Sequence, residues 1–353
     1  MDPVRVALVG YGIAGRSFHA PFVRTTTGME LVAVVTGNPD RQALARSECP
    51  GAALVPDTAA LWAAAAALGI DLVVVAVPNR AHVPVAMAAL GTGLPVVVDK
   101  PFAATAADGR RVMAEAERLG LFLSVFHNRR WDGDFLTLRR LVADGALGEV
   151  WRFESRYERW RPEVREGAWR ERADPADAGG VLADLGSHLI DQAAVLFGPP
   201  RSVYAELGRR RSGAAVDDDA FVALTHAGGV RSHLWASTVA GRSGPRFRVL
   251  GSRAGYEVWG MDPQEEALRA GASPGGPGWG ATPESRWGTV GVGGDVVPVP
   301  TNPGDYGRYY EAVLAALRDA APPPVAPAEA VLTLDVIDAA RRSASVGAPV
   351  DLA

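Results

Sequence analysis

Short apolar runs alternate with helical patterns along the first 126 residues of the chain. The runs predict strands buried on both faces, at 4–9, 31–35, 72–77, 95–98 and 121–126, with a weaker strand at 52–55. Helical patterns lie between them, at 57–68, 82–90 and 105–119. Because strand and helix alternate strictly, this part of the chain is predicted to form a doubly wound parallel α/β sheet.

The pattern changes near residue 127, where strands joined by hairpin-like turns replace the alternation. Strands are predicted at 149–158, 202–209, 220–225, 230–239, 246–250 and 255–259. The Gly- and Pro-rich segment 271–294 predicts a long loop, and two helices are predicted at 306–319 and 328–343. We therefore expect two domains: 1–126 on the parallel sheet, and 127–353 as an α+β domain with a mostly antiparallel open sheet.

The composition is that of an ordinary globular protein, with 353 residues, 48% of them hydrophobic and 22% charged. The net charge of -4 provides no basic field, so we expect neither nucleic acid nor a membrane as a partner. A single cysteine excludes an internal disulfide and a cysteine-based zinc cluster. The first residues lack the pattern of a signal peptide and no apolar stretch is long enough to span a bilayer, so the predicted location is the cytoplasm.

A glycine-rich turn follows the first predicted strand directly, and a helical pattern begins at about residue 14. The turn consists of Gly10, Tyr11, Gly12, Ile13, Ala14 and Gly15. Gly10 suits a tight turn, Gly12 lets the backbone approach a pyrophosphate, and Gly15 lets the helix pack closely, while the free N–H groups of the helix start suit an anion. The context predicts a dinucleotide site of the Rossmann type; a plain turn is the alternative.

The end of the second strand indicates which dinucleotide would bind. Enzymes that use NAD usually hold an Asp or Glu there, against the ribose 2′-hydroxyl. This chain has Thr36 instead, followed by Asn38 and Arg41, and their hydroxyl, amide and guanidinium suit a 2′-phosphate. NADP is the predicted cofactor. The alternative is NAD, with Asp40 on the ribose and Arg41 as a solvated helix residue.

Only one of the 36 basic side chains is a lysine, Lys100, and it follows the strand predicted at 95–98. That position is at the carboxyl edge of the sheet, where ligands of doubly wound folds bind. A partly buried ammonium can exchange its proton near neutral pH, whereas a guanidinium cannot. Lys100 is therefore a catalytic candidate beside the nicotinamide; a chance survivor of a drift toward arginine is the alternative. Further residues expected to line the cofactor cleft at this edge are Pro78, Asn79, His82 and Asp99.

A helix predicted over 181–197 carries a second pair of titratable groups, Asp184 and His188. On an α-helix their spacing places them on one face. A carboxylate beside an imidazole fixes its tautomer and suits it to general acid-base work near neutral pH. The alternative is a helix that Asp184 caps and in which His188 is a core histidine.

Substrate contacts are expected from two further regions of the second domain. Asn128 and Arg129 lie in the polar run at the domain junction. Arg156 belongs to the arginine- and tryptophan-rich segment 151–172, which predicts either a salt-bridged solvated face or a lid over a polyol.

These residues together resemble the glucose-fructose oxidoreductase/inositol dehydrogenase (Gfo/Idh/MocA) family over essentially the whole chain. The matching motifs are 10–15 with Phe18-His19-Ala20-Pro21, 78–82, 99–101, 126–131, and Asp184 with His188. The NADP-dependent scyllo-inositol dehydrogenases and related aldehyde reductases are the most similar branch. The resemblance implies that Lys100, Asp184 and His188 fill the catalytic positions. It also implies that the open sheet of the second domain mediates assembly into a homodimer or homotetramer. Asp99 stands where many members carry Glu.

The predicted activity is NADP-dependent oxidoreduction without a metal. In one direction, hydride would pass from a secondary alcohol of a polyol or inositol-like sugar to the nicotinamide. In the other direction, the nicotinamide would reduce the matching carbonyl or aldehyde. Two functions of other classes stay open: a dinucleotide-binding sensor or regulator without turnover, and an NAD-dependent glycosidase of the same fold. The sequence does not identify the substrate.

Overall fold

The computed structural model describes residues 2–165 and 167–352, which fall into two compact units. The first unit comprises Met1–Asn128, Gln264–Trp279 and Asp305–Val331. The second comprises Arg129–Pro263, Gly280–Gly304 and Leu332–Ala353. Within the described residues, no helix combines the length and the apolar character needed to cross a membrane.

The first unit is built on a six-stranded parallel sheet. Its strands are β1 Val4–Val9, β2 Met29–Val35, β3 Ala53–Val55, β4 Leu72–Val75, β5 Val96–Asp99 and β6 Leu123–Phe126. The spatial order is β3-β2-β1-β4-β5-β6, so the direction of winding reverses between β1 and β4. In open α/β sheets this switch point is where ligands bind, outside the carboxyl ends of the strands.

Helices connect these strands and mostly begin at side-chain caps. They are α1 Ala20–Thr25, α2 Pro39–Glu48, α3 Thr58–Ala64, α4 His82–Gly91 and α5 Ala106–Leu119. Asn38, Asp57 and Thr105 each accept a hydrogen bond from the backbone N–H three residues further on, which satisfies one of the free donors of α2, α3 and α5. The cap at Asn38 fixes the start of α2 directly after the end of β2.

Two later helices also belong to the first unit, α8 Gln264–Arg269 and α9 Gly307–Asp319. Tyr309 of α9 donates to Ser124 Oγ of β6 at 3.0 Å, and Ser124 Oγ donates to the Val325 carbonyl at 2.9 Å. The compact unit therefore includes segments that lie well beyond residue 126 in the chain.

The second unit is built on a nine-stranded, mostly antiparallel sheet in which β7 and β10 are parallel. Its order is β14-β13-β12-β11-β7-β10-β9-β8-β15. The strands are β7 Val150–Glu158, β8 Pro200–Gly208, β9 Asp219–His226, β10 Arg231–Ser237, β11 Phe247–Gly251, β12 Gly255–Val258, β13 Gly288–Val292, β14 Asp295–Val299 and β15 Val350–Asp351. The helices are α6 Gly133–Ala143, α7 Ser187–Phe197 and α10 Pro327–Val346, the last contributing to both units.

The two faces of this sheet differ, as strand β7 illustrates. Phe153, Ser155 and Tyr157 alternate along β7 and are fully buried, and the Phe153 ring lies 5.5 Å from that of Phe197 on α7. Arg156 lies on the opposite face, because successive strand residues point to opposite sides. The helix α7 therefore packs on the face that carries Tyr157.

The structure confirms the predicted fold class and corrects two elements. Strand β13 lies inside the predicted loop 271–294, where glycines made the segment look irregular. A Cβ on Gly288 would collide with the Tyr256 ring and one on Gly291 with the Asp295 carbonyl, so close strand packing requires these glycines. The predicted helix 181–197 begins with a π-helical turn, Leu182–Gly186, before α7.

Candidate active site

The three glycines after β1 have different surroundings. Gly10 has a φ of +103°, in the region that favours glycine, and a Cβ on it would collide with the Ala76 carbonyl. A Cβ on Gly15 would collide with the carbonyl of Gly10. A Cβ on Gly12 would have the Arg41 guanidinium as its nearest neighbour, with Nη1 at 3.8 Å. Packing therefore requires Gly10 and Gly15, whereas Gly12 leaves open space at the turn.

The chain turns from Gly12 into a π-helix, Ala14–His19, that continues as α1. Ile13 precedes this helix and is 57% exposed, and Ala14 is half-buried. No side chain among the described residues caps the start of the π-helix, so its first N–H groups suit an anion.

Tyr11 of the glycine turn points its side chain into the unit. Its hydroxyl donates to Glu48 Oε2 at 2.8 Å and lies 3.4 Å from the Cys49 sulfur, and burial raises its pKa. The side chain is therefore occupied within the protein, and the backbone is the part of Tyr11 that a ligand at the turn would meet.

The end of β2 presents a hydroxyl, an amide and a guanidinium. Thr36 is buried and its Oγ1 accepts from the Asn38 N–H at 3.4 Å, while Asn38 Oδ1 accepts from the Arg41 N–H at 3.0 Å. Arg41 is exposed on the first turn of α2, and its guanidinium has no ion-pair partner among the residues that the structure describes. This cation stands beside the open space at Gly12.

Lys100 follows β5 and is half-buried at the carboxyl edge of the parallel sheet. Its backbone N–H donates to Asp99 Oδ1 at 2.9 Å. The His19 Nε2 lies 3.7 Å from the same Asp99 oxygen. Burial alone would raise the pKa of Asp99, but the facing His19 ring and the charge of Lys100 outweigh it and the pKa is lowered.

Three residues predicted to line the cleft follow β4. Pro78 is exposed, whereas Asn79 and His82 are buried. The His82 ring lies between two carbonyls, with Nδ1 at 2.9 Å from Pro101 O and Nε2 at 2.9 Å from Val77 O. Burial lowers the pKa of His82. The side chain thus links the segment after β4 to the turn that carries Lys100.

In the second unit, His188 lies at the start of α7 and is 5% exposed. Its ring stacks on that of Tyr157, with centroids 6.2 Å apart and an interplanar angle of 23°. The Tyr157 hydroxyl accepts hydrogen bonds from Arg129 and, at 2.9 Å, from Arg159. Sequence reasoning missed Tyr157, although its alternation with Phe153 and Ser155 was a signal for the buried face of β7.

Asp184 lies in the π-helical turn and not in an α-helix. A π-helix pairs each residue with the fifth rather than the fourth along the chain, so α-helical spacing is not what relates Asp184 to His188. The structure places Arg170 beside Asp184, with Nε 3.1 Å from Oδ2. Arg170 also stacks on Trp169 at 4.2 Å, and no local sequence pattern pointed to it.

The polar run at the junction forms a short 3-10 helix, Asn128–Trp131. Asn128 and Arg129 are both buried, and the Arg129 guanidinium faces Asp132 at 3.3 Å as well as Tyr157. The next residue, Arg130, forms a two-point ion pair with Asp191 of α7 at 2.6 and 2.9 Å. These contacts hold the run against the helix that carries His188.

Arg156 is not brought together with His188. It lies on the opposite face of β7 from Tyr157, stacks on Trp235 at 4.0 Å and pairs with Glu154 at 2.9 Å. The substrate contact at Arg156 stays a prediction, and the one-residue offset from Tyr157 places this side chain on the other side of the sheet.

Family models cover nearly the whole chain. Residues 4–127 match the oxidoreductase family model described as an NAD-binding Rossmann fold. Residues 139–352 match the model described as the C-terminal alpha/beta domain of the same oxidoreductase family.

Relatives and solved structures agree. The chain is 40% identical to the uncharacterized oxidoreductase YdgJ of Escherichia coli, over 100% of this chain and 99% of that protein. It is 33% identical to the scyllo-inositol 2-dehydrogenase (NADP(+)) IolW of Bacillus subtilis, over 97% of this chain and 94% of IolW. The structure of YPO2259 from Yersinia pestis superposes with a TM-score of 0.91 at 37% identity, covering 100% of this chain and 98% of that one. The chain belongs to the Gfo/Idh/MocA family of oxidoreductases.

Proposed function

We propose that this oxidoreductase uses NADP to oxidise a secondary alcohol of a polyol or inositol-like sugar, and reduces the matching carbonyl in the reverse direction. One observation carries the choice of cofactor: the Arg41 guanidinium lies 3.8 Å from the Cβ position of Gly12 and has no ion-pair partner among the described residues. A guanidinium there matches a 2′-phosphate in charge and geometry. The similarity to IolW, whose name gives NADP and scyllo-inositol, supports both the cofactor and the substrate class.

The glycine turn and α2 are proposed to hold the dinucleotide. The backbone at Gly12, Ile13 and Ala14 would hold the pyrophosphate, and Thr36, Asn38 and Arg41 the phosphorylated ribose. Residues at the carboxyl edge of the sheet would lie beside the nicotinamide, namely Pro78, Asn79, Asp99 and Lys100. When bound, NADP supplies the hydride acceptor.

The protein's own groups are proposed to move the proton. His188, held by its stack on Tyr157, would take the hydroxyl proton as general base, with Asp184 as its acidic partner. The Lys100 ammonium would place positive charge where the alkoxide develops. Asn128 and Arg129 are proposed as substrate contacts, and Arg129 also donates to the Tyr157 hydroxyl.

The sheet of the second unit is proposed to mediate self-association. The face opposite α7 carries Phe221, His233 and Trp235, which are half-exposed in the single chain. Homodimers or homotetramers through this face would cover these rings. A solution mass of one chain by light scattering would contradict this part of the proposal.

Initial rates over a panel of inositols, sugars and aldehydes, with both cofactors, test the proposed function. We expect stoichiometric formation of NADPH from NADP and a polyol, with a higher kcat/KM for NADP than for NAD. Tight dinucleotide binding without any turnover would indicate a sensor instead. Release of sugar without net reduction of the cofactor would indicate a glycosidase.

A further inference from the structure

A buried polar chain lies behind Lys100 in the first unit. His19, 0% exposed, lies between Asp99 and Tyr310 of α9. Its Nδ1 lies 2.6 Å from the Tyr310 hydroxyl and its Nε2 lies 3.7 Å from Asp99 Oδ1. The ring of His19 also packs against Phe126, with centroids 4.4 Å apart. His19 is the last residue of the π-helix that follows the glycine turn, and Asp99 ends β5 at the carboxyl edge of the sheet.

The neighbours of Tyr310 and Asp99 decide which of these two groups carries a proton. Burial raises the pKa of Tyr310 well above its ordinary value, so its phenol keeps the proton and can donate it to Nδ1. The pKa of Asp99 is lowered, so the carboxylate is ionised and acts as an acceptor. An imidazole that accepts at Nδ1 carries its hydrogen on Nε2, which faces Asp99. The Tyr310 hydroxyl then donates to His19, and the N–H of His19 points toward the Asp99 carboxylate.

The row of buried polar groups ends at Asp99 Oδ1, the oxygen that also contacts Lys100. Asp99 Oδ1 accepts the Lys100 backbone N–H at 2.9 Å, and the same oxygen is the one that His19 Nε2 faces. On the other side of the turn, His82 faces the Pro101 carbonyl at 2.9 Å. A buried histidine therefore lies on each side of Lys100: His82 contacts the backbone after it, and His19 faces the carboxylate that accepts its N–H.

We propose that His19, held by Tyr310, is a positioning residue for Lys100: it fixes the Asp99 carboxylate that holds the Lys100 backbone in place. The inference rests on the proposed function, in which Lys100 acts on the substrate. It also gives α9 a role, because this helix lies far beyond β6 in the chain, belongs to the first unit and supplies Tyr310. A displacement of about 1 Å at a catalytic group is enough to cost about 100-fold in rate.

The tyrosine next to Tyr310 provides a matched control. Tyr309 lies on the same helix, is equally buried and packs against the same Phe126, but its hydroxyl donates to Ser124 instead of His19. Tyr310→Phe and Tyr309→Phe each remove one buried hydroxyl and keep the ring. Only the first removes the donor to His19.

The experiment uses the single lysine as a probe in the full-length protein with NADP added. Protein labelled with ¹³C at lysine Cε gives one lysine signal, that of Lys100. We expect Tyr310→Phe to move this signal and to lower kcat by about 10- to 100-fold, with the polyol KM changed by less than about threefold. Tyr309→Phe should leave the signal in place and kcat within about twofold.

Equal effects of the two tyrosine variants on the signal and on kcat would overturn the proposal. If Tyr310→Phe does not fold, two variants of His19 replace it in the experiment. The amide of His19→Gln places an N–H near the position of Nε2, whereas the shorter side chain of His19→Asn does not. Retention of the signal and of kcat in His19→Asn, with loss in His19→Gln, would also overturn it. A further outcome is that the lysine signal moves in Tyr310→Phe although Lys100→Met has normal turnover. That result would uphold the positioning role of His19 and would overturn the catalytic assignment of Lys100.

Discussion

At the residue scale, the choice of cofactor depends on Arg41. Its backbone N–H is used by the Asn38 cap, whereas its guanidinium is exposed beside Gly12 without an ion-pair partner among the described residues. Other arginines of this unit are already paired, such as Arg16 with Glu48 and Arg5 with Glu30. An unpaired cation at a dinucleotide turn is the feature that the extra phosphate of NADP would use.

Arg41→Ala should weaken NADPH binding by about 10- to 100-fold, because a charge-assisted hydrogen bond contributes about 1.5–3 kcal/mol. The affinity for NADH should change by less than about threefold, since NADH lacks the phosphate. Isothermal titration with both cofactors measures the two effects. Arg46→Ala, in the last turn of the same helix, is the control and should change neither affinity. Equal losses for NADH and NADPH would count against the 2′-phosphate site.

At the element scale, the strand, turn and helix around 4–25 were predictable because each glycine in the motif has a separate physical task. Other elements were not. The glycines of β13 predicted a loop, since contacts with Tyr256 and the Asp295 carbonyl are invisible in the local sequence. The π-helical turn that carries Asp184 is held by long-range contacts: the Leu182 N–H donates to Asp217 Oδ2 at 2.7 Å, and the Gly180 N–H to the Arg170 carbonyl at 3.0 Å.

The candidate site likewise contains residues that the sequence predicted and residues that it did not. The sequence marked Lys100, Asp184 and His188 by residue type and spacing. The groups that surround them, including Tyr157, Arg170 and Tyr310, come from distant segments and have no local signature. The sequence pattern also left open that Arg156 lies on the face of β7 opposite Tyr157.

Gly12→Ala and Gly15→Ala should separate binding from folding. A methyl group on Gly12 meets open space, so the thermal stability should change little while the affinity for NADPH falls at least about 10-fold, because the backbone can no longer approach the pyrophosphate. On Gly15 it would collide with the Gly10 carbonyl and should lower the melting temperature by several degrees or prevent folding. Calorimetry and cofactor titration give the two readouts. A Gly12→Ala protein with unchanged affinity would contradict the assignment of the turn.

At the scale of the whole molecule, each compact unit contains a buried histidine that folding keeps from being protonated. Burial lowers the pKa of His82 in the first unit and of His226 in the second. The unfolded chain takes up protons at these positions first, near pH 6.5, so stability is lost as the pH falls below that value. Each histidine contributes at most about 1.4 kcal/mol per pH unit.

His226→Gln tests this dependence in the second unit. His226 contacts the Gly198 carbonyl at 2.7 Å and Ser232 Oγ at 2.8 Å, so the variant should be less stable than the parent at pH 7.5. The difference should shrink at pH 5.5, because the variant has no proton to take up at this position. Urea unfolding at both pH values measures it. A difference that stays constant or grows at pH 5.5 would show that His226 is not the group responsible.

The central claim is that this family member is a working NADP-dependent oxidoreductase in which Lys100 takes part in the chemistry. The most direct measurement compares NADPH formation by the parent protein and by Lys100→Met, with the best polyol of the panel and with NADPH affinity measured in parallel. We predict that kcat falls by about 100- to 10,000-fold while the affinity for NADPH stays within about threefold. Turnover close to that of the parent, with cofactor binding intact, would contradict the account.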